Sequence, residues 1–351
     1  MTRVAVTGAA GRVGRRVVRR LEREEGVEHV LAVDRVPVGA TSGRLVRRQV
    51  DLAKATVQDL VALLEGSDVL VHLARSAQDP GDELSQLRDR RALLTVLDAA
   101  AQAGVSNVVA ISSAMVYGAW ANNSVPLPET APLRPNPGFS FAVQAAELER
   151  VVGDWAGESF RRVALLRPAP AVAEQNSSWI GRAMQGAARI RVGAADPPVQ
   201  FLHVDDLASA VVVAVTSGLS GAYNVAPDGW LSGEDLRALQ GARPRLWLPE
   251  PLAERLAGLR SRRARRPMPA ELLPYTMHPC VVANDRLRAQ GWSPDLSNEE
   301  AYVAADDAPP WAAMNARQRQ VLSLTALGVA GAVSVLAVVL VARRLHRRRQ
   351  L

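Results

Sequence analysis

The chain of 351 residues is long enough for one large α/β domain with a second lobe and a sizeable core. Its formal charge is +7, yet Lys54 is the only lysine; the excess is arginine, no recognition helix or RNA-binding signature accompanies it, and nucleic acid is not expected as a partner. One cysteine, Cys280, and 5 scattered histidines exclude a disulfide framework and a metal cluster with ligand spacing.

The chain opens on an apolar run, Arg3–Thr7, that breaks into glycines at Gly8, Gly11 and Gly14. It continues with Val13, Val17, Val18 and Leu21 at helical spacing. Strand, glycine turn and helix make a phosphate-binding arrangement. Gly8 permits the tight turn, Gly11 admits backbone N–H groups to a diphosphate, and Gly14 lets the helix pack close to the sheet. Ala10, Arg12 and Val13 complete the turn's expected contacts. A second strand, Val30–Val33, ends at Asp34, about 20 residues past the last glycine, where a carboxylate can hydrogen-bond a ribose 2′-hydroxyl. The expected ligand is a dinucleotide. Asp34 favours NAD, because a carboxylate repels a 2′-phosphate, while Arg12 and Arg35 keep NADP as the alternative.

A third strand, 43–50, ends at Asp51-Leu52, a polar and an apolar side chain suited to an adenine edge and face. A helix over 56–65 leads to a fourth strand, 68–74, whose Leu73 and Ala74 return to the cleft. Between Pro80 and Gly104, Leu84, Leu87, Leu93, Leu94 and Leu97 fall at helical spacing and predict a long helix. Asn107–Ser113 is a fifth strand with Ser112 and Ser113 at its end. Prolines from Pro126 to Pro137 mark a loop, Phe139–Trp155 reads as a helix, and 163–166 as a strand ending in Arg167-Pro168. A loop over 170–176 and a short helix over 179–188 follow. Val199–His203 reads as a strand entering a helix capped by Asp205 and Asp206, and Tyr223–Val225 as a last strand. This alternation predicts a doubly wound parallel sheet of Rossmann type, with a smaller C-terminal substrate lobe. The expected organisation is a dinucleotide-binding domain over 1–166, its sheet completed by parts of 199–226, and an interleaved substrate lobe mainly over 167–308. Five arginines between Arg260 and Arg266 read as a solvated face of that lobe, the alternative being a helix over 249–267 that rests on an anionic surface.

Residues 321–342 carry no charge. As a helix they would extend about 33 Å, enough for a hydrocarbon core of about 30 Å. They follow a linker over 309–320 that contains Pro309-Pro310, and they precede a basic tail over 343–351. The expectation is a C-terminal transmembrane helix in the lipid bilayer and a single-pass membrane protein. A nucleotide-binding domain that starts at residue 3 without a leader places the soluble part in the cytoplasm, against the pull of the arginine tail.

These residues resemble the extended short-chain dehydrogenase/reductase family, the NAD-dependent sugar epimerases and dehydratases. The resemblance rests on Thr7-Gly-Ala-Ala-Gly-Arg-Val-Gly14, Asp34, Asp51-Leu52, His72-Leu-Ala74, Ser112-Ser-Ala-Met-Val-Tyr-Gly118, Arg167-Pro168, His203-Val-Asp-Asp206, Tyr223-Asn-Val225 and Gly291-Trp-Ser-Pro294. It implies NAD as cofactor, with Ser112 and Arg167 among its contacts, Ser113 as the hydroxyl that meets a substrate oxygen, and a substrate lobe after Arg167. It also implies a homodimer through the helices that follow the fourth and fifth strands, where Leu84 to Leu97 lie.

The family's chemistry uses a tyrosine and, four residues on, a lysine that lowers the phenol's pKa and holds the nicotinamide ribose. Here Phe139 and Val143 fall at those places, and the neighbouring frame offers only Phe141 and Ala145. Tyr117 is the nearest tyrosine that could replace the acid. Two functions follow. One is a membrane-anchored, atypical oxidoreductase or isomerase on a small-molecule substrate, lipid-linked or a sugar. The other is a non-catalytic dinucleotide-binding sensor or scaffold at the membrane.

Overall fold

The computed structural model of the chain describes residues 1–37, 43–74, 83–157, 161–173, 178–240, 246–253 and 270–305. Its first six strands are β1 (Thr2–Thr7), β2 (Val27–Asp34), β3 (Leu45–Gln49), β4 (Val69–His72), β5 (Asn107–Ile111) and β6 (Arg162–Pro168). Three short strands lie outside the sheet these form: β7 (Ala171–Val172), β8 (Ile190–Val192) and β9 (Leu202–His203). β10 (Gly221–Val225) then completes a seven-stranded parallel sheet in the order β10-β6-β5-β4-β1-β2-β3. The central strands are apolar without alternation because helices cover both faces; all of β4 and β1 from Val4 onward are buried. Val6 pairs with Ala32 on one side and Val71 on the other. The chain thus winds outward from β1 to β3, then returns past β1 to β4. That reversal opens a crevice at the carboxyl ends of β1 and β4, where ligands of doubly wound sheets bind.

α1 (Arg12–Arg23) buries Gly14, Val17, Val18 and Leu21, one stripe at helical spacing, against one face. α2 (Val57–Leu64), α3 (Glu83–Gln102) and α4 (Ser140–Gly157) cover the other face. α2 starts at a reciprocal cap in which Thr56 and Asp59 satisfy each other's backbone. α5 (Trp179–Ala188) belongs to the second lobe, and α6 (Val204–Thr216) returns to pack on α1. The lobe adds α7 (Gly233–Gln240), β11 (Leu246–Leu248) paired with β8, α8 (Pro274–Met277), α9 (Asp285–Arg288) and α10 (Asn298–Ala304). Its core holds Phe139, Met184, Phe201, Tyr275 and Tyr302. Each such fully buried large side chain contributes about 1.5–3 kcal/mol. Only Leu202–His203 of the stretch 199–203 is strand, and it pairs with β7, not with the main sheet.

The expected transmembrane helix and the single-pass membrane localisation are corrected here. Among the described residues no helix is long and apolar enough to cross a membrane. α3 has the length, 20 residues, but Arg88, Asp89, Arg90, Arg91 and Asp98 make it a charged surface helix. The segments expected as linker, span and tail, 309–351, lie outside the described residues, as do Arg260 to Arg266.

Candidate functional site

The crevice is assembled from three turns that follow β1, β2 and β4. Gly8 has a φ of +72°, and a Cβ there would stand 2.6 Å from the Leu73 carbonyl carbon and 2.7 Å from the Ala74 nitrogen. Only glycine lets the first turn lie this close to the chain leaving β4. At Gly14 a Cβ would stand 2.1 Å from the Gly8 oxygen, so α1 reaches its seat only without a side chain. α1 begins at Gly11 with no side-chain cap and no acidic residue in its first turn. Its first N–H groups therefore face the cleft as an anion-binding end. Asp34 sets the rim: its Oδ2 accepts from the Ala10 N–H at 2.9 Å and its Oδ1 from the Val36 N–H at 3.1 Å. That leaves further lone pairs for a ribose hydroxyl. Val13 packs on the core behind the turn, and Leu52 is buried in the core of the opposite sheet face. Asp51 accepts from the Ala53 N–H and lies 3.7 Å from Lys54. Arg35 gives its carbonyl to Gln49.

A pocket of about 240 Å³ opens at the end of β4 between α3 and α4, lined by His72, Ala74, Arg90, Gln144 and Glu147 among others. His72 is buried with Nδ1 2.9 Å from Thr7 Oγ1. Glu147 is held below the usual carboxylate range by Arg150, with a smaller contribution from Arg90.

Behind Ser113 lies a buried polar cluster whose members the sequence assigns differently. Ser112 Oγ donates to Glu149 Oε1 at 2.6 Å, and Arg167 donates to both Glu149 oxygens at 3.0 and 2.7 Å. Arg167 also donates to the Tyr117 hydroxyl at 2.7 Å, and that hydroxyl donates to Asn224 Oδ1 at 2.8 Å. The Arg167 guanidinium sits 5.1 Å from the Tyr117 ring centroid. Burial pushes the Tyr117 phenol up, partly opposed by Arg167. The Arg167 guanidinium and the Ser112 hydroxyl are thus both bonded to Glu149, and Tyr117 bridges β6 and β10 through Arg167 and Asn224. Glu149 was missed, although it shares the buried face of α4 with Ala142, Ala145 and Val152. An acid on an apolar stripe was the available signal.

Ser113 keeps a different environment. Its Oγ accepts from the Met115 N–H at 3.2 Å, which leaves the hydroxyl hydrogen to donate. Phe139, where the family places its tyrosine, is buried in a ring cluster 5.7 Å from Phe141, 6.1 Å from Trp179 and 5.6 Å from Tyr275. Tyr275 donates to the Met115 carbonyl, and the cavity it shares with Met115, Gln200 and Cys280 measures about 10 Å³. Burial pushes the Cys280 thiol up to about 12. Val143 is 40% exposed.

The Asp205 and Asp206 caps are also corrected. His203 is the cap of α6, its Nδ1 accepting from the Asp205 N–H at 3.3 Å. Asp205 pairs with Arg16 at 2.7 Å. Asp206 is fully buried, accepts from the Asp295 and Leu296 N–H groups, and is held above the usual carboxylate range by burial.

The NAD-dependent epimerase/dehydratase family profile matches residues 4–226. A 3-diazoavenalumate denitrifying reductase from a Streptomyces species is 32% identical over 315 residues, covering 83% of this chain and 96% of the relative. UDP-glucose 4-epimerase of Azospirillum brasilense is 33% identical over 171 residues, 46% of this chain and 47% of its own. Among solved structures, the NAD complex of UDP-glucose 4-epimerase from Thermus thermophilus superposes with a TM-score of 0.64 at 20% identity, over 87% of this chain and 97% of that one.

Proposed function

Because this chain belongs to the NAD-dependent epimerase/dehydratase family, we propose that it is a nicotinamide-dependent reductase whose substrate takes up a hydride without a proton from the protein. The glycine turn, the Asp34 rim and the backbone at Leu73 and Ala74 fit the dinucleotide, since the cradle closes on glycines that a Cβ would fill. Asp34 makes NAD the cofactor in preference to NADP. When bound, the nicotinamide supplies the hydride.

The observation that carries the reading is that the tyrosine and lysine of the family's acid are replaced at their places by Phe139 and Val143. Phe139 has no proton to give, Val143 no charge, and Lys54 lies beside Asp51 near the adenine end. All 4 tyrosines are accounted for: Tyr117 in the Glu149 cluster, Tyr223 under Arg286, Tyr275 on the Met115 carbonyl, and Tyr302 bonded to Gln240. A ketone would need such an acid as its oxygen gains charge. A carbon bearing a diazonium group does not. As the new C–H bond forms, dinitrogen leaves with the C–N bonding pair, and charge balances with no proton transferred. The relative named as a denitrifying reductase of a diazo compound supports this class. This chain's part is to hold the reacting carbon in place and exclude water, with the Ser113 hydroxyl as the orienting donor.

The test is turnover of 4-deuterated NADH with an aryl diazonium carboxylate, and separately with a UDP-sugar. The reading expects deuterium in the reduced arene and dinitrogen evolved, with no exchange into the sugar. Deuterium in the sugar, or none in either product with cofactor bound, would overturn it.

A further inference from the structure

Two aromatic rings from different lobes meet where α4 and α5 begin. Glu149, Ala145 and Phe141 follow one another at four-residue spacing along α4, which turns them to one side of the helix. Glu149 is bonded to Ser112 at the end of β5, and Ala145 is fully buried in the core that holds Tyr117 and Leu166. At 1.5 Å per residue Phe141 stands about 12 Å beyond Glu149 along the helix, past the strand ends and over the crevice. It is only partly buried, although it lies on the side that packs on the sheet. Trp179, the first residue of α5, reaches it from the second lobe. Ser178 Oγ donates to the Ala171 carbonyl at 2.8 Å and accepts from the Gly181 N–H at 2.9 Å, and a Cβ on Gly181 would stand 2.3 Å from that same carbonyl oxygen. The start of α5 is thereby fixed close behind the end of β6.

The Phe141 and Trp179 rings lie 5.3 Å apart at 89°, an edge-to-face corner. Phe139 and Tyr275, both buried, back it from within, and Tyr275 is tied to the Met115 carbonyl two residues past Ser113. The corner is therefore held to the turn that carries the Ser113 hydroxyl. A third flat ring can stack on one wall of such a corner while it meets the other by its edge. The indole nitrogens differ as well. Those of Trp120, Trp155 and Trp247 donate to the Arg134, Leu97 and Gly193 carbonyls, and that of Trp292 to Ser209 Oγ. The Trp179 N–H meets no acceptor among the described residues and is accessible from outside. An indole N–H is a donor only, so what it calls for is an acceptor oxygen.

We propose that Phe141 and Trp179 select the substrate: its flat aromatic ring lies in the corner between them, and the Trp179 N–H donates to an oxygen of its acid group. This rests on the reductase reading above and narrows the substrate to acids built on a planar ring.

The experiment is calorimetric titration of the full chain, with NADH present, with 3-phenylpropanoate and with 3-cyclohexylpropanoate, which carries the same acid on a puckered ring. The wild type is expected to prefer the phenyl acid about threefold to tenfold. Trp179→Leu should erase that preference. Trp179→Phe should keep it but weaken both acids about tenfold, because the ring stays and the N–H is lost. Phe141→Leu, on the other element, repeats the test of the ring if Trp179→Leu does not fold. Equal affinity of the wild type for the two acids, or a preference unchanged in Trp179→Leu and Phe141→Leu, would overturn the corner. So would binding of neither acid, or UDP-glucose binding that depends on Trp179 in their place. Deuterium transfer to an aryl diazonium carboxylate with no effect of Trp179→Leu on either acid would keep the reductase reading and sink the corner. The expected preferences without deuterium transfer would keep the corner and sink the reductase reading.

Discussion

At the glycine turn, α1 begins without a cap and with a half-buried arginine in its first turn, whereas α4 begins beside Phe139 wedged among three aromatic rings. The first region leaves polar demand that a charged ligand would meet. The second presents packed hydrocarbon at the place of the family's acid. α2 and α10, by contrast, are closed at their starts by reciprocal caps, Thr56 with Asp59 and Ser297 with Glu300. The contrast teaches that binding of a dinucleotide and transfer of a proton are separable demands on one cleft. This sequence has kept the residues of the first and filled the place of the second with hydrocarbon.

The Glu149 cluster ties α4 to the ends of β5 and β6 through buried charge, so breaking it should have the largest effect. Glu149→Ala leaves the Arg167 guanidinium buried without its carboxylate, at a cost of about 3–5 kcal/mol, read as a fall in the chemical denaturation midpoint. Gly8→Val acts on the cofactor end alone: the φ of +72° and the 2.6 Å approach to Leu73 exclude a branched side chain. It should abolish measurable NADH binding while the reaction end keeps its packing, checked by tryptophan fluorescence. Phe139→Tyr with Val143→Lys acts on the other end. Val143 is exposed and can carry the ammonium, so the double variant should gain a pH-dependent ketone reduction that the wild type lacks, seen as a new limb in its pH–rate profile.

Much of this organisation was legible because it is local. The order of strands and helices follows from hydrophobic periods, and the glycine turn and Asp34 announce themselves by spacing. What stayed hidden was long-range. Arg167 follows a strand and precedes a proline, as a cofactor contact would, yet its partner Glu149 is 18 residues upstream on another element. Asp205 and Asp206 had the composition of caps, but Arg16, at 189 residues' separation, claims one, and the backbone at Asp295 and Leu296 claims the other. His203 took the cap because its ring reaches back to the Asp205 N–H. The apolar run over 321–342 had the length of a membrane span, while no described helix has both the length and the hydrophobicity.

Smaller effects sharpen the comparison. Tyr117→Phe removes a hydroxyl bonded to Asn224 and Arg167 and should cost about 1–3 kcal/mol of stability with turnover unchanged, which separates a brace from an acid. Wild-type turnover should be flat from about pH 6 to 9, because no protein acid takes part in the reaction.

The most direct measurement is calorimetric titration of the full chain with NADH, with Gly11→Asp as the comparison. Gly11 has an ordinary backbone conformation, and a Cβ there would stand 3.0 Å from the Gly8 oxygen, which must give by a few tenths of an ångström; an aspartate thus adds a negative charge facing the diphosphate, and the fold of the variant is checked by its denaturation midpoint. Micromolar binding by the wild type and its loss in Gly11→Asp are the predicted result. Undetectable binding by the wild type, or equal binding by both, would contradict it.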